Sequence, residues 1–145
     1  METVNISWQQ IENEVNKIAN TILSKKDNFD VVIGLSRGGL IPGVMLSHKL
    51  NLPFIPLVWQ TRDGSKKDKK LLKQYNKETT LVIDDLIDSG KTFYEVIKVA
   101  PNVKYAALFD KQLSLNSEYF SKNLDYCGSL FYNDNRWLIF PWEIS

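Results

Sequence analysis

The chain has 145 residues, a length that fits one domain with room for a hydrophobic core. Hydrophobic residues make up 43% and charged residues 24%, and a formal net charge of +1 implies no overall attraction to nucleic acid or to a membrane surface. The single cysteine, Cys127, excludes an internal disulfide, and no apolar run could span a bilayer, so we expect a cytoplasmic protein without a transmembrane segment.

The first part of the chain predicts helices that alternate with short strands. A capping-box pattern begins at Ser7, and apolar residues at helical spacing predict a first helix to about Leu23. A buried strand is predicted over residues 30–34, and a glycine turn follows it. A second helix then runs until Asn51 ends it, and a second strand is predicted over residues 53–59.

The rest of the chain continues this alternation. Residues 61–77 are polar and charge-rich, the third strand is predicted over residues 80–83 and its helix over residues 91–100, and the fourth strand over residues 103–109. The tail from Tyr126 is aromatic and predicted to be irregular. The order predicts an α/β fold, with a parallel twisted sheet flanked by helices and ligands outside the carboxyl ends of its strands.

Residues 81–92 read Leu-Val-Ile-Asp-Asp-Leu-Ile-Asp-Ser-Gly-Lys-Thr and carry the most specific chemistry. Carboxylates suit a ribose diol and a magnesium ion, whereas hydroxyls and backbone N–H groups at a helix start suit a phosphate. The simpler alternative is a strand end with solvated acids and a capping serine. An ATP-binding P-loop is excluded, because that motif needs a glycine where Asp85 stands. The pattern predicts a sugar-phosphate site formed by Asp84, Asp85, Asp88, Ser89, Gly90, Lys91 and Thr92.

A second loop, residues 34–43, reads Gly-Leu-Ser-Arg-Gly-Gly-Leu-Ile-Pro-Gly. Small residues let backbone N–H groups approach an oxyanion, and Arg37 adds a forked cation suited to pyrophosphate. A dinucleotide-binding fingerprint would need glycine where Ser36 stands, and the turn alone also fits a plain helix start. Its pairing with the Asp-Asp segment favours an anion site at Ser36, Arg37 and Gly38.

The C-terminal part offers groups for a flat heterocycle. Lys111 ends the fourth strand at the ligand edge, where it could donate to a carbonyl oxygen. Trp137 could supply a stacking face, and Leu138 could supply backbone groups for the exocyclic edge. Core packing of a C-terminal strand is the alternative, above all for Phe140 and Trp142.

Together these segments resemble the type I phosphoribosyltransferases, and most closely the short bacterial xanthine-guanine (6-oxopurine) phosphoribosyltransferases. The resemblance runs over nearly the whole length, from an Ile-Ser-Trp helix start through both loops and the Lys111 strand end to Trp137 and the Pro-Trp-Glu sequence of residues 141–143. It implies the phosphoribosyltransferase fold with a small C-terminal hood. Residues 1–145 would form a single domain, with a mobile lid loop at residues 60–77 and a base-binding hood at residues 125–145.

The resemblance implies a purine-salvage reaction. A 6-oxopurine base (guanine, xanthine or hypoxanthine) and phosphoribosyl pyrophosphate would give the nucleoside 5′-monophosphate and pyrophosphate. Mg²⁺ would bind near Asp84, Asp85 and Glu143, and Asp88 would accept the proton of the purine N7. Arg62 of the lid would join the pyrophosphate loop, which would contain a non-proline cis peptide at Leu35–Ser36 or Ser36–Arg37.

The chain also departs from this family, and other functions stay open. Lys91 stands where the nearest relatives usually have a small residue, and Glu143 stands where they have aspartate. The alternatives are a non-catalytic regulator that senses phosphoribosyl pyrophosphate and a phosphoribosyltransferase for another nucleobase. No nucleic-acid-binding surface is evident, and exposed aromatic residues would suit a homodimer or homotetramer, the candidates being Trp8, Tyr94 and Phe120.

Overall fold

A computed structural model describes residues 2–59, 67–112, 123–131 and 135–143, and strands and helices alternate over most of them. In the described residues the elements are β1 (Thr3–Asn5), α1 (Trp8–Lys25), β2 (Val31–Leu35), α2 (Leu40–Leu50), β3 (Phe54–Leu57), α3 (Lys69–Gln74), β4 (Thr80–Ile87), α4 (Lys91–Val99), β5 (Lys104–Asp110), β6 (Tyr126–Leu130) and β7 (Trp137–Ile139). None of the described helices is both long and apolar enough to cross a membrane.

The main sheet is parallel and has five strands in the order β3-β2-β4-β5-β6. From β2 the chain moves outward to β3, then returns to the far side of β2 for β4 and continues through β5 to β6. Strands β2 and β4 are therefore neighbours, but the chain leaves them in opposite directions, toward β3 and toward β5. In such sheets a crevice lies between the carboxyl ends of the two strands. The loops after these two strands are the two loops that the sequence predicted to bind anions.

Helices cover both faces of this sheet. On one face, α1 buries a stripe of Ile11, Val15, Ile18 and Ile22 against a cluster that contains Ile83. On the other face, α4 buries Phe93, Val96 and Ile97 against alternate strand residues, which include Val82, Tyr105 and Ala107. Because successive strand residues point to opposite faces, adjacent side chains at the end of β4 also diverge.

A smaller parallel pair, β1 with β7, joins the two ends of the described chain, with Thr3 opposite Trp137 and Asn5 opposite Ile139. The predicted capping box at Ser7 is confirmed, since its hydroxyl accepts from the Gln10 amide at 3.1 Å and the Gln10 side chain accepts from the Ser7 amide.

The structure corrects three boundaries drawn from the sequence. Strand β4 runs to Ile87 because Leu86 and Ile87 pair with β5, so Asp84 and Asp85 lie within the strand instead of after it. The polar stretch after β3 contains the short helix α3, which buries Leu72. The tail expected to be irregular contains β6 and β7, each paired with a strand distant in sequence.

Candidate active site

The loop after β2 is held by backbone hydrogen bonds to its neighbours. The Ser36 amide donates to the Leu57 carbonyl at 2.9 Å, the Trp59 amide donates to the Ser36 hydroxyl oxygen at 3.1 Å, and the Gly39 amide donates to the Leu35 carbonyl at 2.7 Å. The Ser36–Arg37 peptide is cis, as the resemblance implied. Since the Ser36 hydroxyl oxygen accepts from Trp59, its hydrogen stays available to a ligand, and the Arg37 side chain is exposed.

The adjacent carboxylates of β4 face different surroundings. The Oδ1 atom of Asp84 accepts a hydrogen bond from the Asp85 amide at 2.8 Å, and Asp84 lies on the α4 side beside Tyr105. Asp85 lies on the other side, against the loop after β2: a Cβ added to Gly38 would come within 2.1 Å of its Oδ2. The absence of a side chain at Gly38 is therefore what lets this carboxylate reach the loop.

Negative charge at this pair is unfavourable among the residues that the structure describes. Burial raises the pKa of Asp84, more than its hydrogen bonds lower it. The pKa of Asp85 is raised well above its usual value, first by burial and then by repulsion from Asp84 and Glu143. Glu143 therefore lies within electrostatic range of Asp85. A cation or the hydroxyl donors of a ligand would relieve this repulsion.

The turn from β4 into α4 forms the third part of the site. Gly90 precedes the first residue of α4 with φ of 88°, a left-handed conformation that favours glycine, and it is buried. The Lys91 amide donates to the Ser89 hydroxyl oxygen at 3.3 Å, and the side chains of Ser89 and Lys91 are exposed. Backbone N–H groups in the first turn of a helix have no partner within the helix, so an anion could bind beside Thr92.

Lys111 connects three segments at this edge. Its side chain is only 3% exposed, and its Nζ donates to the Arg136 carbonyl at 2.6 Å and lies 3.7 Å from Oδ1 of Asp88. Its amide donates to the Ile87 carbonyl at 3.1 Å. The sequence placed Lys111 at the ligand edge but missed its contacts with Asp88 and Arg136. An ammonium has three N–H groups, so Lys111 keeps capacity for one further acceptor.

The C-terminal strand β7 presents a mixed surface. The Trp137 side chain is 44% exposed, whereas Leu138 is buried in the core. The Trp137 amide donates to the Glu2 carbonyl, and the Ile139 carbonyl accepts from the Ile6 amide. Because bonded and unbonded residues alternate along a parallel strand, the Leu138 amide and carbonyl point away from β1. Phe140 and Trp142, by contrast, stack with ring centroids 5.0 Å apart, and Phe140 is a core residue, which is the packing alternative.

The predicted lid is only partly described, because Arg62 lies outside the described residues. At its far end Lys67 forms an antiparallel bridge with Trp59, and the Lys67 ammonium forms an ion pair with Glu95 of α4. The Val58 amide donates to Asp68 at 2.9 Å. These contacts attach the start of α3 to the end of β3 and to α4, which the sequence did not predict.

Comparison with known proteins supports the family that the motifs resemble. The profile of the family described as "Phosphoribosyl transferase domain" matches residues 7–119, which contain both crevice loops and α4. The chain belongs to the phosphoribosyltransferase domain family. The predicted enzyme class, a pentosyl-transferring glycosyltransferase, is thereby confirmed.

Similar phosphoribosyltransferases cover nearly the full chain. The xanthine-guanine phosphoribosyltransferase of Gluconobacter oxydans is 27% identical over 97% of this chain and 84% of its own length. That of Desulfotalea psychrophila is 26% identical over 97% of this chain and 86% of its own length. The crystal structure of a purine phosphoribosyltransferase from Pyrococcus horikoshii has a TM-score of 0.71 and 28% identity, with 100% of this chain and 97% of that chain covered. The predicted type I phosphoribosyltransferase fold is confirmed.

Proposed function

We propose that this phosphoribosyltransferase converts a 6-oxopurine base (guanine, xanthine or hypoxanthine) and phosphoribosyl pyrophosphate to the nucleoside 5′-monophosphate and pyrophosphate. The observation that carries the proposal is a pair of contacts at one edge of the sheet. The Asp85 carboxylate lies close to Gly38, and Asp88 forms an ion pair with Lys111. In this proposal the three segments would hold pyrophosphate, the ribose phosphate and the base side by side. The relatives from Gluconobacter oxydans and Desulfotalea psychrophila are named xanthine-guanine phosphoribosyltransferases, which supports a 6-oxopurine as the acceptor.

The phosphate-bearing ends of the donor fit the two loops. The 5′-phosphate would lie in the turn before α4, where Ser89, Gly90 and Thr92 offer hydroxyl and backbone donors and Lys91 adds positive charge. The pyrophosphate would lie on the loop after β2, held by Ser36, Gly38 and the forked guanidinium of Arg37. Arg62, beyond the described residues, is proposed to add a second guanidinium.

A magnesium ion fits the carboxylates that remain. Among the residues that the structure describes, no group of three or more candidate ligands surrounds a common point. Mg²⁺ commonly uses one or two carboxylates together with ligand oxygens, and the pKa of Asp85 shows repulsion that a cation would relieve. Asp84 and Asp85, with Glu143 nearby, would hold it. The bound ion would neutralise charge that develops on pyrophosphate.

The reaction transfers the ribose 5-phosphate from pyrophosphate, the leaving group, to the purine, the attacking group. The bond from C1′ to the pyrophosphate oxygen breaks with its electron pair, the sugar gains oxocarbenium character, and a ring nitrogen of the purine forms the new bond to C1′. Asp88 accepts the proton that the purine loses at N7, and Lys111 orients Asp88 through their ion pair. Arg37 stabilises the departing charge, and holding both ligands in line supplies much of the rate.

Recognition of the base would rest on the surface around β7. Trp137 offers an exposed indole face for stacking, the Leu138 backbone points away from β1 and can bond an exocyclic edge, and Lys111 can donate to a carbonyl oxygen. A carbonyl at the purine 6-position would accept a hydrogen bond from the remaining N–H of Lys111. An amino group at that position is itself a donor and could not accept this hydrogen bond. We therefore propose a preference for 6-oxopurines over adenine.

A panel of nucleobases tests this function directly. With phosphoribosyl pyrophosphate and Mg²⁺, we expect pyrophosphate release with guanine, xanthine or hypoxanthine and little with adenine, uracil or orotate. Pyrophosphate release with a pyrimidine alone would identify a phosphoribosyltransferase for another nucleobase. Tight binding of phosphoribosyl pyrophosphate without turnover of any base would instead indicate a non-catalytic regulator that senses this compound.

Replacing Trp137 by alanine tests the base surface. Loss of a stacking face costs a base about 1–3 kcal/mol, so we expect the KM of the purine to rise about tenfold with little change in the KM of the donor. Leu23→Ala is the control, because Leu23 is an apolar side chain on α1 that is 58% exposed and has no proposed role in binding. Steady-state kinetics with each substrate varied measures both effects. An unaltered purine KM in Trp137→Ala would place the base elsewhere.

The domain and assembly assignments also stay proposals. We propose one domain over residues 1–145, with residues 60–77 as the lid and residues 125–145 as the base-binding hood, and a homodimer or homotetramer in the cytoplasm. Trp8 is exposed, Tyr94 is partly buried, and Phe120 lies outside the described residues. Sedimentation at several protein concentrations would determine the oligomeric state.

A further inference from the structure

Tyr105 lies beneath the crevice, in the strand next to the Asp84–Asp85 pair. Its residue is fully buried near the start of β5, and its ring packs on Phe93 of α4 with centroids 4.5 Å apart. Its backbone amide donates to Oδ2 of Asp125 at 2.8 Å. The phenol is therefore held by packing and by its backbone, and it touches the same helix whose first turn forms the proposed phosphate site.

The hydroxyl of Tyr105 has no hydrogen bond of standard geometry within the described part of the chain. A buried polar group without a partner costs free energy, and in native proteins such groups are few. Tyr105 lies opposite Val82 of β4, and both side chains pack in the cluster on the α4 face. Asp84 follows Val82 by two residues and therefore lies on the same face of the sheet as the Tyr105 ring.

Asp84 has capacity for this donor. Its Oδ1 accepts from the Asp85 amide at 2.8 Å, and an ionised carboxylate has about four acceptor sites in all. The torsion that turns a carboxylate about its stem is broad, so one hydrogen bond does not fix the carboxylate plane. A second hydrogen-bond donor, on the side of Asp84 opposite the ribose diol, would fix the plane of the carboxylate.

We propose that Tyr105 is a positioning residue, which donates its hydroxyl hydrogen to the Asp84 carboxylate when phosphoribosyl pyrophosphate occupies the site. The Asp85 amide and the Tyr105 hydroxyl then hold the carboxylate plane, and its remaining lone pairs face the ribose hydroxyls. Orientation that the fold supplies in advance lowers the ordering cost of binding. This inference rests on the proposed function, because it takes the ribose diol as the ligand of Asp84.

Tyr105→Phe keeps the ring and removes only the donor. Because the Tyr105 hydroxyl makes no hydrogen bond of standard geometry in the free protein, we expect the melting temperature of the free variant to change little. The Kd for phosphoribosyl pyrophosphate with Mg²⁺, measured by calorimetry without a base, should rise about tenfold, the usual worth of a hydrogen bond to a charged group. The KM of phosphoribosyl pyrophosphate should rise in parallel, with the KM of the purine unchanged.

Tyr126→Phe is the matched control at the other edge of the sheet. The Tyr126 hydroxyl donates to Asp27, so its removal should lower the melting temperature of the free protein and leave the Kd for the donor unchanged. Equal donor affinity in Tyr105→Phe and the unaltered chain would overturn the inference alone. No binding of phosphoribosyl pyrophosphate by the unaltered chain would overturn both the inference and the proposed function.

Discussion

Replacing Asp88 by asparagine is expected to lower kcat roughly a hundredfold or more, which is the usual worth of a general base. The amide keeps the size of the side chain but cannot accept the N7 proton. The side chain of Asp88 is half exposed and pairs with Lys111 at 3.7 Å, so its loss should cost the fold little. The affinity for phosphoribosyl pyrophosphate should be largely kept, because Ser89, Gly90 and Thr92 still provide their donors.

The control for this variant is Asp110→Asn. Asp110 is a carboxylate at the same edge, and its Oδ1 accepts from the Gln112 amide at 2.7 Å, a bond that an asparagine oxygen can also accept. We expect this variant to retain kcat. Single-turnover kinetics with preloaded donor would measure the chemical step in both variants. Unchanged turnover in Asp88→Asn would assign the base to another group.

Gly38→Ala is expected to abolish most activity while the protein stays folded. The added methyl would meet the Asp85 carboxylate at 2.1 Å, and a side-chain end can turn aside more easily than backbone. The carboxylate would then leave the crevice, and a displacement of about 1 Å in a catalytic group can cost about a hundredfold in rate. The affinity for phosphoribosyl pyrophosphate should fall with it, because Asp85 is proposed to hold the diol and the metal.

The neighbouring glycine gives the contrasting result. A Cβ on Gly39 would come within 2.3 Å of the Ile83 carbonyl and 2.8 Å of the Leu35 amide, both backbone groups of central strands. Gly39→Ala should therefore lower the free energy of unfolding, which overpacking typically does by about 1–3 kcal/mol. Urea titrations together with donor binding would separate the two variants. A Gly38→Ala protein with normal donor binding would contradict the placement of Asp85.

The sequence predicted the parts of the site that lie in continuous segments. The two loops stood out because glycine, hydroxyl and carboxylate residues followed apolar β-branched runs, and the parallel order of the strands placed both at one edge. The role proposed for Tyr105 could not be predicted, because a tyrosine in an apolar strand is typical of a core and only the register of β5 against β4 brings it near Asp84. The contact of Lys111 with the Arg136 carbonyl likewise depends on a long-range approach that no local pattern encodes.

The strands of the tail were missed for a related reason. Residues 126–130 read Tyr-Cys-Gly-Ser-Leu, without clear alternation, and they form β6 because β5 offers an edge and α1 packs closely on Gly128. Residues 137–139 form β7 because β1 pairs with them. Pairing partners that lie far apart in the chain decide these elements, whereas α1 could be predicted from its own spacing and capping box.

The pairing of β1 with β7 has a consequence for synthesis on the ribosome. Strand β1 emerges first, but its partner follows only after all strands of the main sheet have been made. Closing so long a loop is entropically costly until the rest of the fold supports it. The surface proposed for the base should therefore be completed last, and nascent chains that end after β6 should bind phosphoribosyl pyrophosphate before they can bind a purine.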